Sequence, residues 1–206
     1  MLSAHKGFTC QHRSDDFPII VEILRLHRPM LAVELGTDRG GFAALLADTL
    51  ASWGGHVVTL DKVPKFDRAL LTAFPNLTFA QASVQPKRSN GVVSLLDRPF
   101  TLLYCDDGNK MREMELYAPT LWPGSLLGVH DYGSEVDSAW AESFVAGLGY
   151  EPEGHARMET LRNEWYPEPM TRFWVRRRSP ACDFDPSTRD VPLPAPPDIE
   201  RPEPTR

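Results

Sequence analysis

Two acidic clusters close apolar runs in the second half of the chain. FTLLYC leads into Asp106-Asp107-Gly108-Asn109-Lys110, and SLLGV leads into His130-Asp131-Tyr132. Carboxylates delivered in this way suit a hard divalent cation such as Mg²⁺, which takes one or two protein carboxylates and keeps waters for the rest of its shell. Imidazole at His130 suits Mn²⁺, Fe²⁺ or Zn²⁺ better. A cation held by Asp106 and Asp131, with His130 beside them, would lower the pKa of a bound hydroxyl and fix its position. Without a metal, His130 is the natural general base, because its ordinary pKa lies near neutrality. Lys110 is the other candidate base, and needs its pKa lowered by burial or a neighbouring cation. The plainer readings are a hydrogen-bonded structural His130, an exposed Lys110 on a loop, and Asp107 and Asn109 as turn residues.

A second set of residues lies in MLAVELGTDRGGFAALLADTL. An apolar run reaches Glu34, passes Gly36 and Gly40-Gly41, and continues with helical spacing at Phe42, Leu45, Leu46 and Leu50. That pattern predicts a buried strand, a tight glycine turn and a helix. Glycines lacking a Cβ let a ligand lie against bare backbone, and the N–H groups at the helix start favour an anionic group. Further on, HVVTL ends at Asp61, about 20 residues past the glycine turn, where a carboxylate accepts hydrogen bonds from a ribose diol. Asp61 therefore supports an adenosine-bearing ligand without choosing between NAD and S-adenosylmethionine. The dinucleotide fingerprint is G-x-G-x-x-G with its acidic residue downstream; here the pattern is E-x-G-x-x-x-G, with Glu34 in front. An ordinary strand-to-helix turn and a capping or surface Asp61 are the plain alternatives.

These residues need a scaffold, and the apolar pattern supplies one. Helices are expected over residues 17–26, 66–74, 87–96, 113–122 (interrupted at Pro119) and 136–148. Further strands are expected over 56–60, 77–80, 100–105 and 125–129. Such regular alternation predicts a parallel sheet covered on both faces, with ligands beyond the carboxyl ends of the strands where the strand order reverses. Glu34, Asp61, Ser83, Asp106 and Asp131 all fall on that rim. Residues 150–160 and 171–178 read as a closing strand pair around an aromatic loop, 163–170. Trp140, Trp165, Tyr166 and Trp174 wall a substrate pocket or, more plainly, pack the core. Arg176-Arg177-Arg178 reads as a solvated strand end or an anion-attracting patch.

With 206 residues and 42% hydrophobic content, the chain can bury one full core. Three regions are expected: an N-terminal arm or cap over 1–16, a cofactor-binding domain over 17–178, and a proline-rich, disordered or polyproline-like tail over 179–206. A net charge of −6 argues against broad binding to nucleic acid or an anionic membrane, and favours small neutral or cationic substrates. Cys10, Cys105 and Cys182 are odd in number and far apart, with neither zinc spacing nor a disulfide framework. Together with the lack of a secretory pattern or a membrane-length apolar run, this points to the cytoplasm.

ELGTDRGGFAALLAD, YCDDGNK and LWPGSLLGVHDYG resemble segments of class I S-adenosylmethionine-dependent methyltransferases. They resemble most the cephalosporin hydroxylase / rhamnosyl O-methyltransferase group, and more distantly the catechol-type metal-dependent O-methyltransferases. The resemblance spans residues 32–132. It implies an α/β, Rossmann-like fold whose mostly parallel seven-stranded sheet has helices on both faces and a terminal antiparallel strand pair. It implies O-methylation of a small-molecule hydroxyl, with S-adenosylmethionine as cofactor and Mg²⁺ or Mn²⁺ as metal. Glu34, Gly36, Thr37, Gly40, Asp61, Ala82, Ser83 and Asp106 would contact the cofactor. Asp106, Asp131 and His130 would hold the metal, and His130 or Lys110 would assist deprotonation. The chain departs from the pattern in three places: Gln81 precedes Ala82-Ser83 where a glycine is common, Tyr132 stands where the catechol-type enzymes have asparagine, and His130 stands where the hydroxylase-like group often has an acid. A NAD(P)-linked oxidoreductase is the first alternative, disfavoured by the glycine spacing and the antiparallel ending. A non-catalytic cofactor-binding module acting through the tail is the second, and self-association stays open.

Overall fold

The computed structural model describes residues 3–84, 91–161 and 170–177. The chain begins with a hairpin, β1 (Ser3–His5) and β2 (Phe8–Cys10), turned at Lys6 and Gly7 with φ of 48° and 91°. Two successive left-handed residues give the turn a twist that matches the strands, and glycine takes one of them without steric cost. After α1 (Asp16–His27) come β3 (Leu31–Leu35), α2 (Gly41–Ala51), β4 (His56–Asp61), α3 (Ala69–Ala73) and β5 (Leu77–Gln81). The second half runs through α4 (Gly91–Leu96), β6 (Thr101–Cys105), α5 (Lys110–Tyr117), a 3-10 turn over Ala118–Thr120, β7 (Leu126–His130) and α6 (Ser138–Gly147). It closes with β8 (Tyr150–Glu153), α7 (His155–Glu159) and β9 (Thr171–Arg176).

Alternation along the strands divides the apolar residues between two cores, one on each face of the sheet. Ala32, Val57 and Leu102 share a core with α1 and α2, whereas Leu31, Val33, Leu35, Val58 and Leu103 share one with α5 and α6. Burial on both faces is why these strands read as unbroken apolar runs. The strand order is β5-β4-β3-β6-β7-β9-β8. All neighbours are parallel except β7 with β9 and β9 with β8, which are antiparallel. The order reverses between β3 and β6, whose tips are joined where the Asp106 N–H donates to Leu35 O at 2.8 Å.

Three expectations change. The arm or cap, which shows little periodicity in sequence, contains the hairpin. The strand expected over 150–160 stops at Glu153, because Gly154 takes φ 67° and opens α7. The helix expected from residue 113 starts earlier, at Lys110, because the Asn109 side chain caps it by accepting the Arg112 N–H at 3.1 Å. The tail over 179–206 and most of the aromatic loop, including Trp165 and Tyr166, lie outside the described residues. Among the described residues, no helix is long and apolar enough to cross a membrane.

Candidate functional site

A cleft of about 330 Å³ lies over the tips of β3, β4, β6 and β7, and Glu34, Gly36, Thr37, Asp61, Asp106, Lys110, His130 and Asp131 all line it. Glu34 sits in register with Thr59 and Tyr104 on the adjacent strands and is fully buried. Among the described residues, neither of its carboxylate oxygens has a hydrogen-bond partner. The neighbouring Thr59 hydroxyl pairs with that of Thr37 at 2.6 Å and offsets only part of the cost of burial. Burial pushes the Glu34 pKa well above the usual carboxylate range. A buried carboxyl without partners is costly, so its presence in a cleft wall points to a ligand that satisfies it.

Asp61 is already oriented. Its two oxygens accept the backbone N–H groups of Asp38 and Val63, each at 3.1 Å, and each oxygen keeps acceptor capacity for a ligand hydroxyl. Asp38 takes φ 42°, a left-handed conformation uncommon for a residue with a Cβ, and Asp131 takes φ 55°. Both strained positions border the cleft.

The glycines also serve contacts within the protein. A Cβ on Gly36, at φ 100°, would lie 2.4 Å from the Asp106 carbonyl oxygen; on Gly40, 2.5 Å from Leu70 Cδ2; on Gly41, 2.5 Å from the Thr9 carbonyl carbon. The missing side chains let protein approach protein, joining β3 to β6, seating α3, and receiving the hairpin. Gly40 does not line the cleft, and neither do Ala82 and Ser83. The Ala82 N–H donates to Asp61 O at 3.0 Å, so this pair steadies the end of β4.

The hairpin brings in residues that the sequence did not single out. His5 and Lys6 pair with Asp48 of α2 at 3.0 and 2.5 Å, and Cys10 is buried in the α1–α2 core. Cys10, Gln11 and His12 then line the cleft. His12 is buried, stacked on Phe42 at 4.1 Å, with its Nε2 2.9 Å from the Tyr104 hydroxyl. Burial, with His130 and Lys110 nearby, lowers its pKa well below the ordinary value and keeps the ring neutral.

His130 Nδ1 lies 3.2 Å from Asp106 Oδ1 and 3.3 Å from Asp131 Oδ2. Burial alone would lower its pKa, but the two carboxylates outweigh it and raise the value to about 9. The same contacts act on the acids. For Asp131, burial is outweighed by His130 and Lys110, and the value falls to about 2. For the more enclosed Asp106, burial prevails over His130 and Lys110, and the value rises. Lys110 Nζ lies 2.8 Å from Glu135 and 2.9 Å from Asp131, and 3.9 Å from Asp106. These carboxylates overcome its burial and hold its pKa above the ordinary lysine value. Lys110 therefore keeps its proton and does not suit the expected role of base.

The expected metal trio is also rearranged. Among the described residues, the histidines and carboxylates that offer donor atoms within 4.8 Å of one another are His12, Asp106 and His130. Asp131 falls outside that group, paired with Lys110. Tyr132 points away into the second core, its hydroxyl donating to Glu142 at 2.9 Å. Trp174 is fully buried and Trp140 stacks on Phe144, so both belong to the core and not to the cleft wall. Arg176 donates to the Pro119 and Leu121 carbonyls and Arg177 pairs with Glu151, a structural use of that basic strand end.

No family model matches the chain, and no curated protein matches it in sequence. Its fold does match solved structures. CmcI carrying Mg and SAM aligns at 15% identity over 85% of this chain and 77% of that one, with a TM-score of 0.61. The O-methyltransferase TomG from Streptomyces achromogenes, involved in tomaymycin synthesis and in complex with SAM, aligns at 15% identity over 81% and 82%, with a TM-score of 0.51. Precorrin-6y C5,15-methyltransferase from Geobacter metallireducens GS-15 aligns at 17% identity over 74% and 78%, with a TM-score of 0.55. The chain thus has the Rossmann-like fold of class I methyltransferases, as its motifs imply.

Proposed function

We propose that the protein transfers a methyl group from S-adenosylmethionine to a hydroxyl of a small molecule, assisted by a divalent cation at Asp106 and His130. The observation that carries this reading is the pairing of Glu34 and Asp61 on adjacent strands of one cleft. Glu34 is a buried carboxyl without a hydrogen-bond partner among the described residues, suited to a cationic group; Asp61 is a preset acceptor, suited to a ribose diol. S-adenosylmethionine carries both features, and CmcI and TomG are solved with SAM on this fold.

When bound, the cofactor supplies an electrophilic methyl group and the cation lowers the pKa of a hydroxyl placed on it. The chain supplies position and exclusion of water. Glu34 and Asp61 fix the cofactor from one side, while the hairpin brings Cys10, Gln11 and His12 against the cleft from another. Lys110 neutralises Asp131 and Glu135, so that part of the cleft wall carries less negative charge to repel an ionising hydroxyl. A hydroxylated natural product, a sugar or polyketide-like molecule, is the acceptor class we assign.

The dinucleotide alternative is weaker because the Phe8 and Thr9 carbonyl oxygens lie over Gly41, at the helix start where a pyrophosphate would sit. Calorimetry with S-adenosylhomocysteine and with NADH tests the choice: binding of the first alone is expected, and binding of NADH alone would replace the reading. Labelled methyl transfer to hydroxylated acceptors, with Mg²⁺ or Mn²⁺ present, tests the activity. Asp106→Asn should cut transfer by about a hundredfold or more while S-adenosylhomocysteine still binds. A wild-type chain that binds cofactor but transfers nothing to any acceptor would favour the non-catalytic module.

A further inference from the structure

We infer that the segment following the N-terminal hairpin completes a transition-metal site by adding His12 to Asp106 and His130. This deepens the reading above, on which it rests for the ion's use in the reaction but not for its binding. The donor atoms are in place. Those of the three residues lie within 4.8 Å of one another, with His130 Nδ1 3.2 Å from Asp106 Oδ1 and His12 Nε2 3.7 Å from Asp106 Oδ2. Ligands about 2.0–2.2 Å from one ion stand roughly 3–3.5 Å apart at tetrahedral or octahedral angles, so the His130–Asp106 pair already has that spacing and the His12 contacts close by side-chain shifts on the order of an ångström.

Burial supports the site. His12 and His130 are 1% and 3% exposed, so bulk water does not compete for His12 Nε2 and His130 Nδ1, the nitrogens that face Asp106. Their rings lie 4.1 Å apart, and His12 is clamped on Phe42. The Tyr104 hydroxyl, 2.9 Å from His12 Nε2, faces that lone pair in the metal-free chain, so an ion binds there by displacing the hydroxyl with a shift of the Tyr104 or His12 side chain.

The donor set decides which ion. Two imidazoles and one carboxylate match first-row transition ions such as Mn²⁺, Fe²⁺, Co²⁺ or Zn²⁺, and suit oxygen-seeking Mg²⁺ poorly. Asp131, the oxygen donor that would restore a Mg²⁺ preference, is held by Lys110 at 2.9 Å. Three protein ligands leave positions for water or an acceptor hydroxyl. Because one ligand lies two residues past the end of β2, ion binding and hairpin docking are linked: each stabilises the other.

The test titrates the full, metal-free chain with Co²⁺ and with Mg²⁺, followed by calorimetry and by visible Co²⁺ absorption. One Co²⁺ per chain is expected, bound at least about tenfold more tightly than Mg²⁺. His12→Gln should weaken Co²⁺ binding about 10–100-fold and alter its absorption, with Mg²⁺ affinity unchanged. Paramagnetic shifts of both imidazoles in the wild-type chain provide a readout that needs no variant. Equal Mg²⁺ and Co²⁺ affinities, an unshifted His12 ring beside bound Co²⁺, or unaltered Co²⁺ binding by a folded His12→Gln would overturn the site. S-adenosylhomocysteine calorimetry on the metal-free chain separates the two readings: no cofactor binding with an intact Co²⁺ site sinks the methyltransferase and leaves the metal site standing.

Discussion

His12 lies flat on Phe42, ring centroids 4.1 Å apart and planes 3° from parallel, which fixes a residue of the N-terminal segment to the first turn of α2. The same ring comes within 4.1 Å of that of His130, at the tip of β7. The hairpin is therefore part of the site wall, and changes at its seat should reach the chemistry.

Gly41 is that seat. In a free helix, glycine to alanine gains about 1 kcal/mol; here the added Cβ would press on the Thr9 backbone at 2.5 Å. Gly41→Ala should instead lose about 1–3 kcal/mol, a drop in Tm on the order of 3–10 °C, with faster proteolysis ahead of α1. A higher Tm would show that the hairpin does not bear on α2.

Glu34→Gln should separate stability from binding. Removing a buried ionisable group without partners should leave the unliganded Tm equal or higher. Loss of a charge-assisted contact should weaken S-adenosylhomocysteine by about tenfold or more in calorimetry. Unchanged affinity would take Glu34 out of the site.

Lys110→Met removes the cation that Asp131 and Glu135 share. Breaking a fully buried pair costs about 3–5 kcal/mol. Asp131 is 20% and Glu135 59% exposed, so water offsets part of that and about 2 kcal/mol is expected. Denaturant unfolding gives the value, and Lys110→Arg should recover most of it. No loss in Lys110→Met would mean the ion pairs are idle.

Stability without metal should fall as pH rises from about 6.5 to 9. His130, ordinarily near 6.5, is raised to about 9, so over that interval the folded chain holds a proton that the unfolded chain has released. Its contribution is whole below about 6.5 and lost through 9. Asp131, lowered to about 2, acts at the other end: its contribution is present above about 3.9 and lost as pH falls through 2. His12, lowered, has finished its own effect by about 6.5 and does not confound the alkaline window. Denaturant midpoints across pH, with an NMR titration of His130, check this; Asp131→Asn should move that titration down, and a His130 pKa near 6.5 in the wild type would refute it.

The tertiary structure also explains which parts of the site were legible in sequence. Runs buried on both faces, punctuated by Gly36, Asp61, Asp106 and Asp131, sufficed for the parallel sheet and its acidic rim, because strand formation and turn chemistry are local. The uses of these residues were not local. The Asp106 carbonyl meets Gly36 only in the folded sheet, and Lys110 lost its role as a base once Asp131 and Glu135 closed on it. His12 follows a hairpin whose strands span only Ser3–His5 and Phe8–Cys10, too short for a hydrophobic period, with Lys6-Gly7 as its one turn signal. Its hydrogen-bond partner Tyr104 is 92 residues away. Sequence alone determined which elements form and what stands at their ends; which ends meet, and therefore which protons and cations they hold, was decided by packing between segments far apart in the chain.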